Sequence, residues 1–365
     1  MIKKDKLNKI TKSFQIAGSL KNIRPLKMGH INDTYIFTTS VENSNIYILQ
    51  KINKDVFPNI PELMSNVTKL LNHIHIKLKS SYNNDRYPII YNTVDNLSYL
   101  ISEDQEYWRV YNYVSNTCSY SQCKDTAQAL EGASCASRFQ SYILDLEAND
   151  FFDTIPNFHN LEHRFKTFED VLGKDIFNRA IGIKAEIDFV MERKYFAAKI
   201  NKLINAGDIP LRVVHNDLKL NNILFDKVSG KAVSVVDLDT VMPGTLLYDF
   251  GDLVRNSSVR ALEDETDLSK VFMDVDFFEA ILKGYTKNLK NFFSKAEKEN
   301  LYFAPQYITF MVGLRFLTDY LAGDNYFKIQ YDTHNLDRAR NQFKIVKSME
   351  EQEDYMRQII EKVFN

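Results

Sequence analysis

Apolar and polar residues alternate with a strand-like period of two in the first third of the chain, and with a helical period over most of the remainder. Short β-type runs fall at 22–28, 34–39 and 46–52, separated by a polar turn at 29–33 and a turn-rich stretch at 41–45. A helix is expected next, with Asn59 as its cap and Glu62 three residues on. Its apolar positions Leu63, Val67, Leu70, Ile74 and Leu78 lie on one face. Two further strands are predicted at 98–102 and 107–114. Beyond residue 114 the pattern turns helical, broken by two short apolar strands near 213 and 235. Asp276 with Glu279 reads as a capping box opening one helix. Pro305 opens another, running to about Leu321 and stopped by Ala322-Gly323-Asp324. The expected fold is therefore α+β with two lobes: residues 1–114 as a small antiparallel sheet plus one helix, and 115–365 as a larger, mainly helical lobe. No internal repeat, low-complexity tract or linker interrupts the pattern.

Composition adds exclusions. The 365 residues are 44% hydrophobic and 26% charged, which is the balance of a packed globular chain. A formal net charge of −2 gives no global basic field for nucleic acid or an anionic membrane. The lysine-rich stretch 1–12 has no apolar run behind it and makes a poor signal peptide, and no run approaches the length of a membrane span. Cys118, Cys123 and Cys135 are odd in number and lack metal-ligand spacing, so they are expected to be reduced thiols in a cytoplasmic protein.

The chemistry is concentrated in Val-Val-His-Asn-Asp-Leu-Lys-Leu-Asn-Asn-Ile-Leu, residues 213–224, followed by Val-Val-Asp-Leu-Asp at 235–239. His215, Asp217 and Asn222 stand at the H-x-D-x-x-x-x-N spacing, and Asp237 arrives at the end of a second apolar run. Phosphoryl transfer needs a carboxylate for the acceptor's hydroxyl proton, plus an amide oxygen and a second carboxylate to hold Mg²⁺ on the phosphates of ATP. Asp217 is the candidate for the first role, and Asn222 and Asp237 for the metal. His215 is expected to brace the loop, and Lys219 either pairs with the γ-phosphate or stays solvated. Asp239, two residues past Asp237, would share its side of an extended strand and serve the metal, the substrate or the structure. Asp249, in Tyr-Asp-Phe-Gly-Asp at 248–252, is read as a buttress of the loop.

In the N-terminal lobe, Met28-Gly29-His30-Ile31-Asn32-Asp33-Thr34 is the candidate phosphate-covering turn, with Gly29 supplying close backbone approach and His30 and Asn32 at its tip. The third strand ends Gln50-Lys51, and alternation lets only one of the two face the phosphates. Arg315 lies in an apolar helix and wants a partner, either Asp319 at i+4 or a polar substrate wall shared with Tyr326.

The loop at 215–224 resembles that of the aminoglycoside phosphotransferase/choline kinase superfamily of small-molecule kinases. Gly29-His30-Ile31-Asn32, Tyr47–Gln50, Trp108–Tyr111, Asp237–Gly244, Asp249–Asp252 and Arg315–Leu321 are together similar to the members that phosphorylate N-acetylhexosamines. The resemblance implies a protein-kinase-like fold and Mg²⁺- and ATP-dependent phosphorylation of the anomeric hydroxyl of N-acetylglucosamine or N-acetylgalactosamine. It also implies that His30, Asp239, Arg315 and Tyr326 contact the sugar. One departure is Asn256-Ser257-Ser258, where the resemblance leads one to expect an aromatic. A kinase for an amino alcohol (homoserine or choline) and a non-catalytic nucleotide-binding module are the competing readings. Asp237-Leu238-Asp239 stands where a protein kinase carries Asp-Phe-Gly, which speaks against that class.

Overall fold

A computed structural model describes residues 4–26, 31–42, 45–79 and 86–365. The chain is α+β and divides into two compact units: Met1–Cys118 with Asn149–Pro156 and Leu224–Met242, and Ser119–Ala148 with Asn157–Ile223 and Pro243–Asn365.

The first unit is built on helices α1 (Lys4–Lys12) and α2 (Ile60–Lys79) and strands β1 (Leu20–Pro25), β2 (Asp33–Thr39), β3 (Tyr47–Ile52), β4 (Ile90–Tyr91), β5 (Leu100–Ile101) and β6 (Tyr107–Asn112). The sheet runs β1-β2-β3-β6-β4, with β5 also on β6, and its pairings are antiparallel. Strand alternation sorts its two faces. Tyr35, Phe37, Tyr47, Leu49, Trp108 and Val110 form one apolar layer, closed by Leu7 and Ile10 of α1. The lysine-rich start is thus an amphipathic helix that completes a core. On the opposite face, Thr34, Gln50 and Arg109 are register neighbours across β2, β3 and β6. Helix α2 begins as its sequence suggests, the Asn59 side chain accepting from the Glu62 amide at 3.3 Å, with Leu63, Val67, Leu70 and Ile74 buried.

The second unit is helical: α3 (Thr126–Ile143), α4 (Leu161–Lys174), α5 (Lys184–Glu192), α6 (Phe196–Asn205), α7 (Leu246–Ser257), α8 (Val275–Thr286), α9 (Lys295–Asn300), α10 (Phe303–Leu321), α11 (His334–Glu351) and α12 (Glu353–Phe364). Helix α10 packs on α4, α7 and α11. Gly251 of α7 permits one of these crossings, because a Cβ there would stand 2.5 Å from the Ala304 carbonyl oxygen of α10. Helix α8 is capped differently from expectation. Asp274 is its N-cap, accepting from the Asp276 amide at 3.0 Å, while Glu279 pairs with Lys283 one turn on. Among the described residues, no helix is long and apolar enough to cross a membrane.

Candidate active site

The loop that begins at His215 leaves the short strand Arg212–Val214 of the second unit and is held by its backbone. Asn216 takes a left-handed conformation (φ 65°), which asparagine tolerates better than most residues. Both flanking peptides are fixed: Asp249 accepts from the amides of His215 at 3.0 Å and Asn216 at 2.7 Å. Burial pushes the Asp249 carboxyl up to about 6, although His215 and these two amides act in the other direction. Asp249 is a buttress inside α7, and its Asp-Phe-Gly triplet is helical. His215 is fully buried, its ring edge-on to Phe139.

On this scaffold Asp217 is partly exposed, with the Lys219 ammonium 2.9 Å from Oδ1. Burial works against the Lys219 charge, but Asp217 and Asp252 outweigh it and hold its pKa above the ordinary value. The Asn222 amide donates to the Asp217 carbonyl at 2.8 Å and to Oδ2 at 3.3 Å. Its NH₂ being so used, Oδ1 is left as the uncommitted atom among the described residues, and a hard oxygen suits Mg²⁺. Asn256, in the segment that departs from the resemblance, accepts from the Leu220 amide at 3.1 Å and ties α7 to the loop. Position 256 therefore carries a loop brace where an aromatic was expected.

Next to this loop lies a cationic wall. His159 donates Nε2–H to the Asn216 carbonyl at 2.7 Å, which makes Nδ1 the acceptor nitrogen of a neutral ring. Its pKa is lowered to about 4, chiefly by burial with Arg315 and Arg164 adding to it, while the bond to Asn216 and the charge of Asp217 oppose them. Arg164 is itself depressed to about 10, by burial and then by Arg315. Arg164 donates to the Phe158 carbonyl at 3.3 Å and Arg315 lies 3.5 Å from the Tyr326 hydroxyl, and among the described residues neither has a carboxylate partner. Asp319, the anticipated partner of Arg315, instead accepts from the amides of Asn325, Tyr326 and Phe327 at 2.9–3.0 Å and from the Asn335 side chain. That loop seats Tyr326 and Phe327 against the Arg315 guanidinium, at 5.5 and 5.4 Å from the ring centroids. Arg315 and Tyr326 thus come together, the latter 61% exposed.

In the first unit, the segment after Val235 is not an extended strand. Asp237 has φ 63° and the chain turns at once into a 3₁₀ turn, Leu238–Thr240. Strand alternation therefore does not relate Asp239 to Asp237: Asp237 is exposed, whereas Asp239 is buried. Both Asp239 oxygens meet Arg109, at 2.6 Å from Nη1 and 2.8 Å from Nη2. The Asn32 amide adds a third bond to Oδ2 at 2.8 Å. Gln50 Oε1 accepts from Arg109 Nε and Nη2 at 3.0 and 2.8 Å. Lys51 points to the other face, 3.0 Å from Asp33 and 3.6 Å from Glu106. Of the two third-strand candidates, Gln50 belongs to the Asp237–Asp239 side and Lys51 does not. Gly29 and His30 lie outside the described residues.

Residues 22–273 match the sequence profile of the phosphotransferase enzyme family, APH. The fold is similar to that of an aminoglycoside phosphotransferase from Alicyclobacillus acidocaldarius, at 14% identity and a TM-score of 0.64, covering 99% of this chain and 97% of that one. It is also similar to a microcompartment-associated aminopropanol kinase, at 13% identity and a TM-score of 0.59, covering 96% and 98%. A third similar structure is an ethanolamine kinase of Plasmodium vivax, at 14% identity and a TM-score of 0.52, covering 88% and 82%. The chain belongs to the phosphotransferase enzyme family, and its two-lobed α+β fold is the kinase-like fold of these structures.

Proposed function

We propose that this phosphotransferase moves the γ-phosphoryl group of ATP to the anomeric hydroxyl of an N-acetylhexosamine, N-acetylglucosamine or N-acetylgalactosamine. Asp217 orients that hydroxyl and takes its proton. Lys219 holds the Asp217 carboxylate, and the Asp249 and Asn256 side chains hold the loop backbone. By motif match, Mg²⁺ would be held by Asn222 through Oδ1 and by Asp237, and it would neutralise charge on the phosphates. Arg315 and Tyr326 contact the sugar, with His30 assigned to it by the same match. Asp239 serves the sugar through the turn it anchors.

The observation that carries the acceptor class is the pair Arg164 and Arg315, which among the described residues have no carboxylate partner: Arg164 donates to the Phe158 carbonyl at 3.3 Å, and Arg315 lies 3.5 Å from the Tyr326 hydroxyl. An ammonium about 8 Å from one guanidinium loses about 2 kcal/mol at an effective dielectric of about 20. An amino alcohol or aminoglycoside would meet that penalty, whereas a neutral sugar presents hydroxyl and carbonyl oxygens that guanidinium and phenol groups can donate to. An anomeric hydroxyl is also more acidic than an ordinary alcohol, so a carboxylate base suffices. The test is ADP release from Mg-ATP with each acetamido sugar, homoserine, choline and ethanolamine, with phosphorus NMR of the product. An anomeric phosphate doublet from an acetamido sugar is expected; turnover confined to the amino alcohols would remove the sugar reading and keep the kinase.

A further inference from the structure

The first unit poses a problem that the phosphotransferase chemistry does not solve. A kinase sheet is expected to offer a cation from its third strand, yet Lys51 is turned to the opposite face and paired with Asp33 and Glu106. The position on the relevant face is Gln50, which has no charge. The cation there is Arg109, one strand further across the sheet and directly opposite Gln50 in register.

Arg109 is not available to a phosphate. Its side chain is 2% exposed, and each of its N–H groups has an acceptor: Nε and Nη2 on Gln50, Nη1 and Nη2 on Asp239, and Nη1 also 3.7 Å from the Met64 sulfur of α2. The Asp239 side chain is 3% exposed and receives three donors. Asn32 carries the chain of bonds onward, since its Oδ1 accepts from the Asn53 amide at 3.0 Å while its NH₂ serves Asp239. Gln50 closes the other end by donating to Thr34 at 3.1 Å. The network therefore joins residues 31–33 at the start of β2, the end of β3 and the Asp237–Asp239 turn.

We propose that Arg109 is a positioning residue for Mg-nucleotide binding: its bidentate clamp on Asp239 sets the turn that presents Asp237, and through Asn32 it fixes residues 31–33 at the start of β2. The inference rests on the kinase reading and is independent of which acceptor is used. Two physical points support it. A fork-to-fork guanidinium–carboxylate pair fixes the rotation of the carboxylate as well as its distance, so it specifies the turn that begins at the left-handed Asp237. A buried ion pair is also a poor source of net stability, because well-packed apolar replacements of both partners are often neutral or stabilising. Its use at this place is geometric.

That contrast supplies the experiment. Arg109→Met alone leaves a buried, unpaired carboxylate and is expected to lower the melting temperature. The paired change Arg109→Met with Asp239→Leu is expected to recover most of that stability while still weakening Mg-ADP binding, measured by calorimetry, by at least about tenfold. Arg109→Lys, which keeps the charge but cannot span Gln50 and both Asp239 oxygens, provides a second, gentler variant and is expected to bind Mg-ADP at least about fivefold more weakly. A paired variant or an Arg109→Lys variant with wild-type Mg-ADP affinity would overturn the proposal and leave Arg109 a packing element. Because no acceptor enters the measurement, failure of the sugar assay leaves this result interpretable. Wild-type protein that does not bind Mg-ADP would remove both.

Discussion

At Asp217 one carboxylate oxygen faces the Lys219 ammonium and the other the Asn222 amide. The two contacts hold the carboxylate without burying it, which suits the proposed role of taking a proton from an incoming hydroxyl. Asp217→Asn replaces an acceptor by an amide that cannot take the proton and presents its own NH₂ toward Lys219 or Asn222. Turnover is expected to fall by at least about 10²-fold in kcat, with nucleotide affinity measured by calorimetry close to wild type. Undiminished turnover would place the base elsewhere. The residues around Asp217 divide by legibility. His215, Asp217, Lys219 and Asn222 are local in sequence and were assigned from spacing. His159 and Asn256 reach the loop from a turn and from α7 with no motif of their own, although a histidine among aromatics is a signal that some polar partner exists.

At the scale of elements, the helices of the second unit are set by how closely their backbones approach. Gly251 lies mid-helix in α7, where alanine would add about 1 kcal/mol of helix propensity. The added Cβ would press to 2.5 Å on a backbone carbonyl of α10 and 2.8 Å on Ile308, and the carbonyl cannot swing aside. Gly251→Ala is therefore expected to destabilise the protein by about 2 kcal/mol in denaturant titration, the overpacking exceeding the propensity gain. Gly173, on the exposed end of α4 with nothing within 4 Å of a built Cβ, is the control. There alanine is expected to stabilise by about 0.5 kcal/mol. Equal signs for the two would mean that α7 and α10 adjust freely. The sequence motif at 249–252 contained this glycine, but its reason, a helix crossing, is not a property of the motif.

For the whole molecule, two groups near the loop, half-buried His159 and buried Asp249, tie stability to pH in opposite senses. His159 is held down at about 4 in the fold, against about 6.5 in an unfolded chain. Its contribution is complete above pH 6.5 and is lost as pH falls toward 4, because the unfolded chain then binds the extra proton. Asp249 is held up at about 6, against about 3.9 unfolded. Its contribution is greatest below pH 4 and is lost as pH rises toward 6. Between pH 4 and 6 the two slopes largely cancel in the wild type. His159→Gln, whose amide can still donate to the Asn216 carbonyl, leaves only the second. The stability difference between wild type and this variant is expected to shift by about 2 kcal/mol in the variant's favour between pH 7.5 and pH 5, by denaturant unfolding at each pH. A difference that does not change with pH would mean that His159 protonates freely in the fold.

The sequence by itself determined the antiparallel sheet with its helix, the helical second part, and the order Asp217, Asn222, Asp237, because these depend on short-range periodicity and on spacings within single loops. Even there, a two-residue ambiguity moved the cap of α8 from Asp276 to Asp274. Tertiary structure decided which of Gln50 and Lys51 faces the Asp237–Asp239 turn, since alternation gives opposite faces but not which face meets which neighbour. It also turned the chain at Asp237 where the apolar flanks suggested a continuing strand. The partners that hold that turn, Arg109 and Asn32, lie 130 and 207 residues from Asp239 along the chain. A buried charge announces that it needs an opposite charge, but only the folded chain selects which one, because the choice rests on distance and desolvation rather than on sequence separation.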